Sequence, residues 1–370
     1  MPVLEEFAML LLRNDDVRQV LDMPTTLRAL QVGYADLAAG DAAYIPRIDL
    51  YAPTGNDDDY YRFGSMSGAC RTYGVLATRL KSDIVSWPDG RTEEKHCVEP
   101  GTYSGMILLY ATSNGEPLAL IQDGYLQHMR VGGSAGIGVD VLARENAATL
   151  GLLGSGGMAR SYLEAIAEVR SLEHVRVFSP TPAHRQHFAE SAQRELGLSV
   201  TAVDSAEEAV RGADIVATAT DAMGPTFDAS WVSPGTHVTC VTRRELGKDL
   251  LALADPVVQL GVSTVPHGVA VPGMQWPRGS LAAYVAGRPD ERRRIPAGRS
   301  TERGVYPSLV DLHLGRHPGR TSDRQITLFV TTGTQGLQFA AVGGITLQLA
   351  RERGLGHPFP TEWFLEDVRN

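Results

Sequence analysis

The stretch Leu152-Leu153-Gly154-Ser155-Gly156-Gly157-Met158-Ala159 constrains the fold of this chain more than any other. An apolar run over 149–153 ends in glycines, and an amphipathic pattern begins beyond them. A Gly-x-Gly-x-x-Ala series between strand and helix has a physical logic. Gly154 permits the tight turn, Gly156 lets backbone approach a pyrophosphate with no Cβ in the way, and Ala159 lets the helix close on the strand. Gly157 and Met158 open a helix whose unpaired N–H groups and positive dipole end face the phosphates. Downstream, strands are predicted at 174–178, 198–203, 214–219 and 236–241. Helices are predicted to about residue 170, at 182–195 and at 205–210. Such alternation means βαβ units with parallel, buried strands.

The second strand of this unit ends in Phe178-Ser179-Pro180-Thr181, with Arg185 beyond. A carboxylate there would bind the ribose 2′-hydroxyl of NAD; none is present. Two hydroxyls and an arginine suit a 2′-phosphate, so NADPH is the expected coenzyme, with NADH still open. Ser179 and Thr181 also suit caps of the next helix. Ala219 and Thr220 end the 214–219 strand, and Val241 and Thr242 end its neighbour. These strand ends are expected beside the cofactor.

At 370 residues the chain fits two domains. Before the glycine turn, a helix is predicted over 16–39, strands at 44–51, 59–66, 73–80, 105–112 and 118–122, and a linking helix over 129–147. Strands joined by short turns imply a mixed or antiparallel sheet. Residues 263–325 read as irregular and basic, followed by a strand at 326–330 and a long helix at 334–353. A net charge of −9 argues against nucleic acid or an anionic membrane as partner. No run approaches the ~18 apolar residues of a membrane span, and the N-terminus lacks a basic signal region, so cytoplasm is the expected address. The three cysteines, Cys70, Cys97 and Cys240, are far apart, and neither they nor the histidines show metal-ligand spacing. No metal is expected.

The glycine turn, the Ala213–Thr220 and Pro234–Val241 stretches, Leu118–Arg130 and the segment from Gly315 to Gly333 together resemble the ornithine cyclodeaminase/mu-crystallin family over about residues 15–355. The resemblance implies an α/β fold of two domains. A Rossmann-like NAD(P)-binding domain is expected over 143–329. A second α/β domain over 1–142 and 330–370 would bind substrate and form a homodimer. It also implies a small amino- or imino-acid substrate whose carboxylate is held at positions matching Arg47, Arg130 and either Arg79 or Lys81, with Gly333 near the cofactor. On a strand, 79 and 81 point the same way, so both suit one pocket. An arginine fork fixes a carboxylate's orientation.

The reading is therefore an NAD(P)H-dependent oxidoreductase acting on a C–N bond, of the imine-reductase or amino-acid-dehydrogenase kind. A cyclodeaminase with tightly bound NAD and a mu-crystallin-like binder of NADPH and a small ligand are the alternatives. Cyclodeaminases place an aspartate after the Pro234–Val241 stretch. Here no aspartate aligns cleanly, and Glu245 is the nearest carboxylate. Lys81, Glu245 or water are the candidate proton donors, since arginine stays protonated. Two features depart from the family pattern: an enlarged hairpin over 83–104, and Gln335 and Gln338 where many relatives carry an aspartate.

Overall fold

The computed structural model describes residues 8–261, 274–275, 283–296 and 306–367. Among these, the strands form two sheets. The first contains β1 (Met9–Leu12), β2 (Ala42–Tyr44), β3 (Ile48–Pro53), β4 (Asp59–Cys70), β5 (Val75–Ser86), β6 (Glu94–His96), β7 (Ser104–Ala111) and β8 (Pro117–Gln122). The second contains β9 (Thr149–Leu153), β10 (His174–Phe178), β11 (Val200–Ala202), β12 (Ile215–Thr218), β13 (His237–Cys240) and β14 (Val257–Gln259). Two late strands, β15 (Met274–Gln275) and β16 (Ala283–Val285), return to the first sheet; β17 (Thr327–Val330) enters the second, and β18 (His357–Phe359) the first.

The second sheet runs β11-β10-β9-β12-β13-β17-β14, with every pairing parallel. Its first five strands follow the doubly wound order, which reverses between β9 and β12 and leaves a crevice at their carboxyl ends. All four residues of β12, of β13 and of β17 are buried, as helices on both faces require. The chain thus has the α/β fold expected of it, a Rossmann-like lobe joined to a second α/β lobe.

The first sheet is mixed. β3, β4, β5, β7 and β8 form an antiparallel meander, while β1 joins β8 and β16 joins β3 in parallel. β4 alternates strictly between half-buried and buried residues, so the sheet has one covered face. Met66, Cys70, Val75, Ala77, Ile107 and Leu109 on that face join the main core with Leu337, Phe339 and Ala341 of the helix Gln335–Glu352. The helix Gly124–Leu142 lies between the lobes. Gly132 and Gly136 let it close on the helix Gly157–Val169: a Cβ at Gly132 would sit 2.3 Å from the Ser161 carbonyl oxygen. Burial on nearly every side keeps this glycine-rich segment helical against its weak propensity.

Some expected elements divide or move. The helix predicted over 16–39 is two helices, Asn14–Val20 and Met23–Ala39. Pro24 opens the second, and Asp22 caps it by accepting from the Thr25 N–H at 2.8 Å. The strand predicted at 44–51 breaks around Pro46, which cannot donate to a ladder. Residues 274–275 and 283–285, expected in the nucleotide-binding domain, pair with the first sheet instead. Ala283 and Val285 bury against Tyr51, Tyr60 and Val85 there, which gives this edge its own small core. Part of the basic stretch 263–325 lies outside the described residues. Within it Arg320 is a clamp, donating to the carbonyl oxygens of Leu142, Ser322, Gln325 and Gly235.

Candidate active site

The glycine turn leaves the end of β9 at the sheet's switch point. Gly154 has φ +116°, and a Cβ there would meet the Ala219 carbonyl oxygen at 2.3 Å. Only glycine fits both demands. Among the described residues nothing lies within 4 Å of a would-be Cβ at Gly156 and no side chain caps the helix it starts, so backbone N–H groups are open to an anion. Gly156 and Gly157 are exposed, Met158 is half-buried, and Ala159 is buried against the strand layer. The cradle fits a dinucleotide.

Ser155 donates to the Ser179 hydroxyl at 2.8 Å, tying the turn to the end of β10. Pro180 and Thr181 are exposed, and Thr181 sits at the start of the next helix without a side-chain capping bond. Arg185 differs from its expected role. It is buried, donates to the carbonyl oxygens of Ser179 and Pro180, and pairs with Asp204 at 2.6 Å. Its charge is already answered, because the helix that carries it turns the guanidinium back under the strand end.

At the ends of β12 and β13, Ala219 borders Gly154, and Val241 donates its N–H to the Thr218 carbonyl. Glu245 is fully buried. One carboxylate oxygen accepts from the Thr220 N–H and hydroxyl, both at 2.7 Å; the other accepts from the Thr242 N–H at 2.9 Å. Burial pushes its pKa up, while these donors oppose the shift. Glu245 therefore ties two strand ends together, with both carboxylate oxygens occupied by these donors. Asp249, next along, is exposed on a short helix.

The other half of the site is the charged end of the first sheet's covered face. Strand alternation puts Arg62 and Gly64 of β4 beside Asp83 and Lys81 of β5, with Arg79 one step further. Asp49, Gly64, Lys81 and Gly105 form one row across four strands. The two glycines make room: a Cβ at Gly64 would strike the Asp49 carboxylate, and one at Gly105 would strike that of Asp123.

Arg47 donates from Nε to Asp49 at 2.8 Å, while its Nη2 is buried with no partner among the described residues. Arg79 binds Asp123 through Nε at 2.6 Å and Nη2 at 2.5 Å. Lys81 pairs with Asp83, which also accepts from Arg62 at 3.2 Å; Arg62 reaches Glu93 at 3.0 Å. Burial, then Arg62, Lys95 and Arg47, hold Lys81 well below the usual lysine range.

Arg130 is buried and has no carboxylate partner among the described residues. Its Nε and Nη2 donate to Gln127 Oε1 at 3.1 and 2.8 Å, and its Nη1 to Gln338 Oε1 at 2.8 Å. Both acceptors are neutral, and two of the five guanidinium donors are left over. Arg130 and Arg79 both stack on the Phe339 ring, at 4.8 and 5.6 Å. Burial and the nearby Arg79 pull the Arg130 pKa down to about 9. Gln338 is anchored by donating to the Gly333 carbonyl and the Thr334 hydroxyl. Gly333 thus sits behind Arg130 in the turn between β17 and the last long helix.

The two halves meet at the central helix. His128, two residues before Arg130, packs on the glycine turn so closely that a Cβ at Gly157 would lie 2.6 Å from its ring. The hairpin over 83–104 crosses between the lobes as well: Thr92 bridges to Ala222, and Met223 donates its N–H to the Arg91 carbonyl at 2.7 Å. Of the residues expected from the sequence to hold the substrate, Arg47, Arg79, Lys81 and Arg130 lie near one another. Sequence reasoning missed Asp49, Arg62, Asp83 and Asp123. Period-two alternation on β3, β4 and β5 was the signal that could have found the first three.

The fold and turn define a Rossmann-type, nicotinamide-dinucleotide protein with a cation-lined second lobe. The sequence profile of the ornithine cyclodeaminase/mu-crystallin family matches residues 85–345, and the chain belongs to that family. It is 30% identical over 261 residues to a Delta(1)-pyrroline-2-carboxylate reductase of Bacillus cereus, covering 69% of this chain and 74% of that one. Among solved structures it resembles the Thermococcus litoralis Delta(1)-pyrroline-2-carboxylate reductase in complex with NADH and L-proline (TM-score 0.73, 24% identity, 94% and 99% coverage). It also resembles an archaeal alanine dehydrogenase dimer with bound NAD (TM-score 0.71, 20% identity, 95% and 99% coverage).

Proposed function

We propose that the chain is a nicotinamide-dependent reductase of small imino acids, with the imine carboxylate held by Arg130, Arg47 and Arg79. The observation that carries this reading is Arg130, a buried guanidinium answered, among the described residues, only by amide oxygens. A buried charge in that state calls for an anion, and a carboxylate matches its spare donors. The reduced nicotinamide would supply hydride to the imine carbon. Gly154, Gly156 and the helix start would hold its pyrophosphate. Arg79, fixed by Asp123, would orient the carboxylate together with Nη2 of Arg47, which has no partner among the described residues, so that positioning and charge do the protein's share of the work. With Glu245 occupied, Lys81 becomes the group that protonates the amine nitrogen. Its depressed pKa makes it a better acid than an ordinary lysine.

The test is coenzyme oxidation with cyclic imines and with keto acid plus amine pairs. Arg130→Met is expected to lower kcat/KM by about 10²–10³-fold with coenzyme affinity unchanged. No coenzyme oxidation with any imine would remove the reading.

A homodimer is part of the proposal. Ile48, Leu50, Leu76, Met106 and Tyr284 are exposed on the sheet's outer face, an apolar surface suited to a second copy. The related alanine dehydrogenase is a dimer. Light scattering should give twice the chain mass, and Leu50→Lys with Met106→Lys should halve it. The free cysteines accord with a cytoplasmic address, and among the described residues no helix is long and apolar enough to cross a membrane.

A further inference from the structure

Around the charged end of the first sheet's face, Arg47, Arg62, Arg79, Lys81, Lys95 and Arg130 stand against Asp49, Asp83, Glu93 and Asp123, with Arg244 of the nucleotide lobe also acting on Glu93. Arg47, Arg62, Arg79 and Lys81 each have a carboxylate partner. Arg130 and Lys95 have no carboxylate within ion-pair distance among the described residues, though Glu93 and Asp83 attract Lys95 from further off, and the two cations stand at different places. Arg130 comes from the central helix; Lys95 comes from β6, the short strand of the enlarged hairpin. One α-carboxylate answers the first and leaves the second.

The register fixes where Lys95 points. Lys95 pairs with Val85 on β5, two residues beyond Asp83 on the same side of that strand. Residues paired across strands share a face, so Lys95 projects to the side that carries Arg62, Lys81 and Asp83. Glu93, two residues before it, reaches Arg62 on that side. The Lys95 side chain is exposed in part, while desolvation by its surroundings and the nearby Arg62 lower its pKa, and the hairpin that carries it touches the nucleotide lobe at Ala222 and Met223. Close by, Nε of Arg62 is buried without a partner among the described residues. An ammonium outside any ion pair and an unused guanidinium N–H thus lie on the same side of the sheet, close enough for their charges to act on each other.

We infer that the substrate carries a second acid group, and that Lys95 and Arg62 read it: the imine is derived from a 2-oxo dicarboxylic acid. The inference rests on the reductase reading for the identity of the first carboxylate. The enlarged hairpin is then the specificity element, because it brings Lys95 to the site.

The test compares methylamine plus 2-oxoglutarate with methylamine plus 2-oxopentanoate, and oxaloacetate with 2-oxobutanoate, each pair equal in carbon number. The intact enzyme should favour one diacid by at least about tenfold in kcat/KM. Lys95→Gln should raise KM for that diacid about tenfold and change the monoacid less than about twofold, with coenzyme Kd unchanged. Lys95→Arg should keep the preference. A wild-type preference for the monoacids would overturn the inference. So would equal losses on both substrates in Lys95→Gln, or a raised coenzyme Kd, which would assign Lys95 to the phosphates. Calorimetry of coenzyme-loaded protein with L-glutamate and with L-norvaline separates the two claims. Tighter glutamate binding without any turnover would keep the second anion and reject the reductase. Turnover of monoacids with no glutamate preference would do the reverse.

Discussion

The parallel lobe is built to meet its ligand with backbone, whereas the mixed lobe presents charged side chains, and the two are vulnerable in different ways. At the glycine turn the decisive feature is missing substance: no Cβ at Gly154 or Gly156, and helix N–H groups left uncapped. At the sheet face the decisive feature is surplus charge held in place by other charge, with Asp123 fixing Arg79 and Asp49 fixing Arg47. Backbone recognition tolerates many neighbouring sequences as long as the bend survives. Side-chain recognition depends on every partner in the network, since a lost carboxylate strands a buried cation.

The largest expected effect that sharpens this comparison comes from the turn. Gly156→Val puts a side chain where only open space exists, and should raise coenzyme Kd on the order of a hundredfold while Tm moves by less than about 2 °C. Gly154→Ala should act the other way. Its positive φ and the Ala219 oxygen 2.3 Å away make the loss one of stability, about 2–4 kcal/mol by denaturant melts. A Gly156→Val protein that bound coenzyme normally would undo the backbone reading.

The next effect separates the two carboxylate-and-lysine candidates for proton transfer. Lys81 must be protonated to act in the reductive direction, and burial with Arg62 lowers its pKa. The kcat/KM for reduction should therefore fall as pH rises through that lowered value. Lys81→Arg should slow turnover and abolish that limb of the profile. Glu245→Gln should leave the limb in place and instead cost about 1–3 kcal/mol of stability, because an amide N–H₂ would face the Thr220 or Thr242 donors. A limb that vanished in Glu245→Gln would reverse these assignments.

The smallest effect concerns coenzyme choice. Asp204 is almost fully exposed and neutralises Arg185. Asp204→Asn should free that guanidinium and shift the NADPH-to-NADH ratio of kcat/KM toward NADPH by about twofold to fivefold, the range of an exposed ion pair. No shift would mean that Arg185 stays bound to the Ser179 and Pro180 carbonyls regardless.

Much of the parallel lobe was legible in the sequence because its signals are local. Strand, glycine bend and helix follow one another within about 20 residues, and the alternation of elements dictates parallel pairing. Glu245 was misread for a local reason as well: its loop position resembled a catalytic one, and only the closeness of Thr220, 25 residues earlier, shows that its oxygens are occupied. The segment 283–285 was misassigned because adjacency in sequence to the nucleotide lobe says nothing about which sheet edge is free.

By itself the sequence determined that a glycine bend would open at the end of a buried strand, and that Arg79 and Lys81 would share a face, since both follow from periods of a few residues. The tertiary structure alone decided which cations keep an unanswered charge. Arg130 depends on Gln338, 208 positions away, and Lys95 on the pairing of β6 with β5. Whether a charge is neutralised is a property of distance in space, and chain order does not encode it.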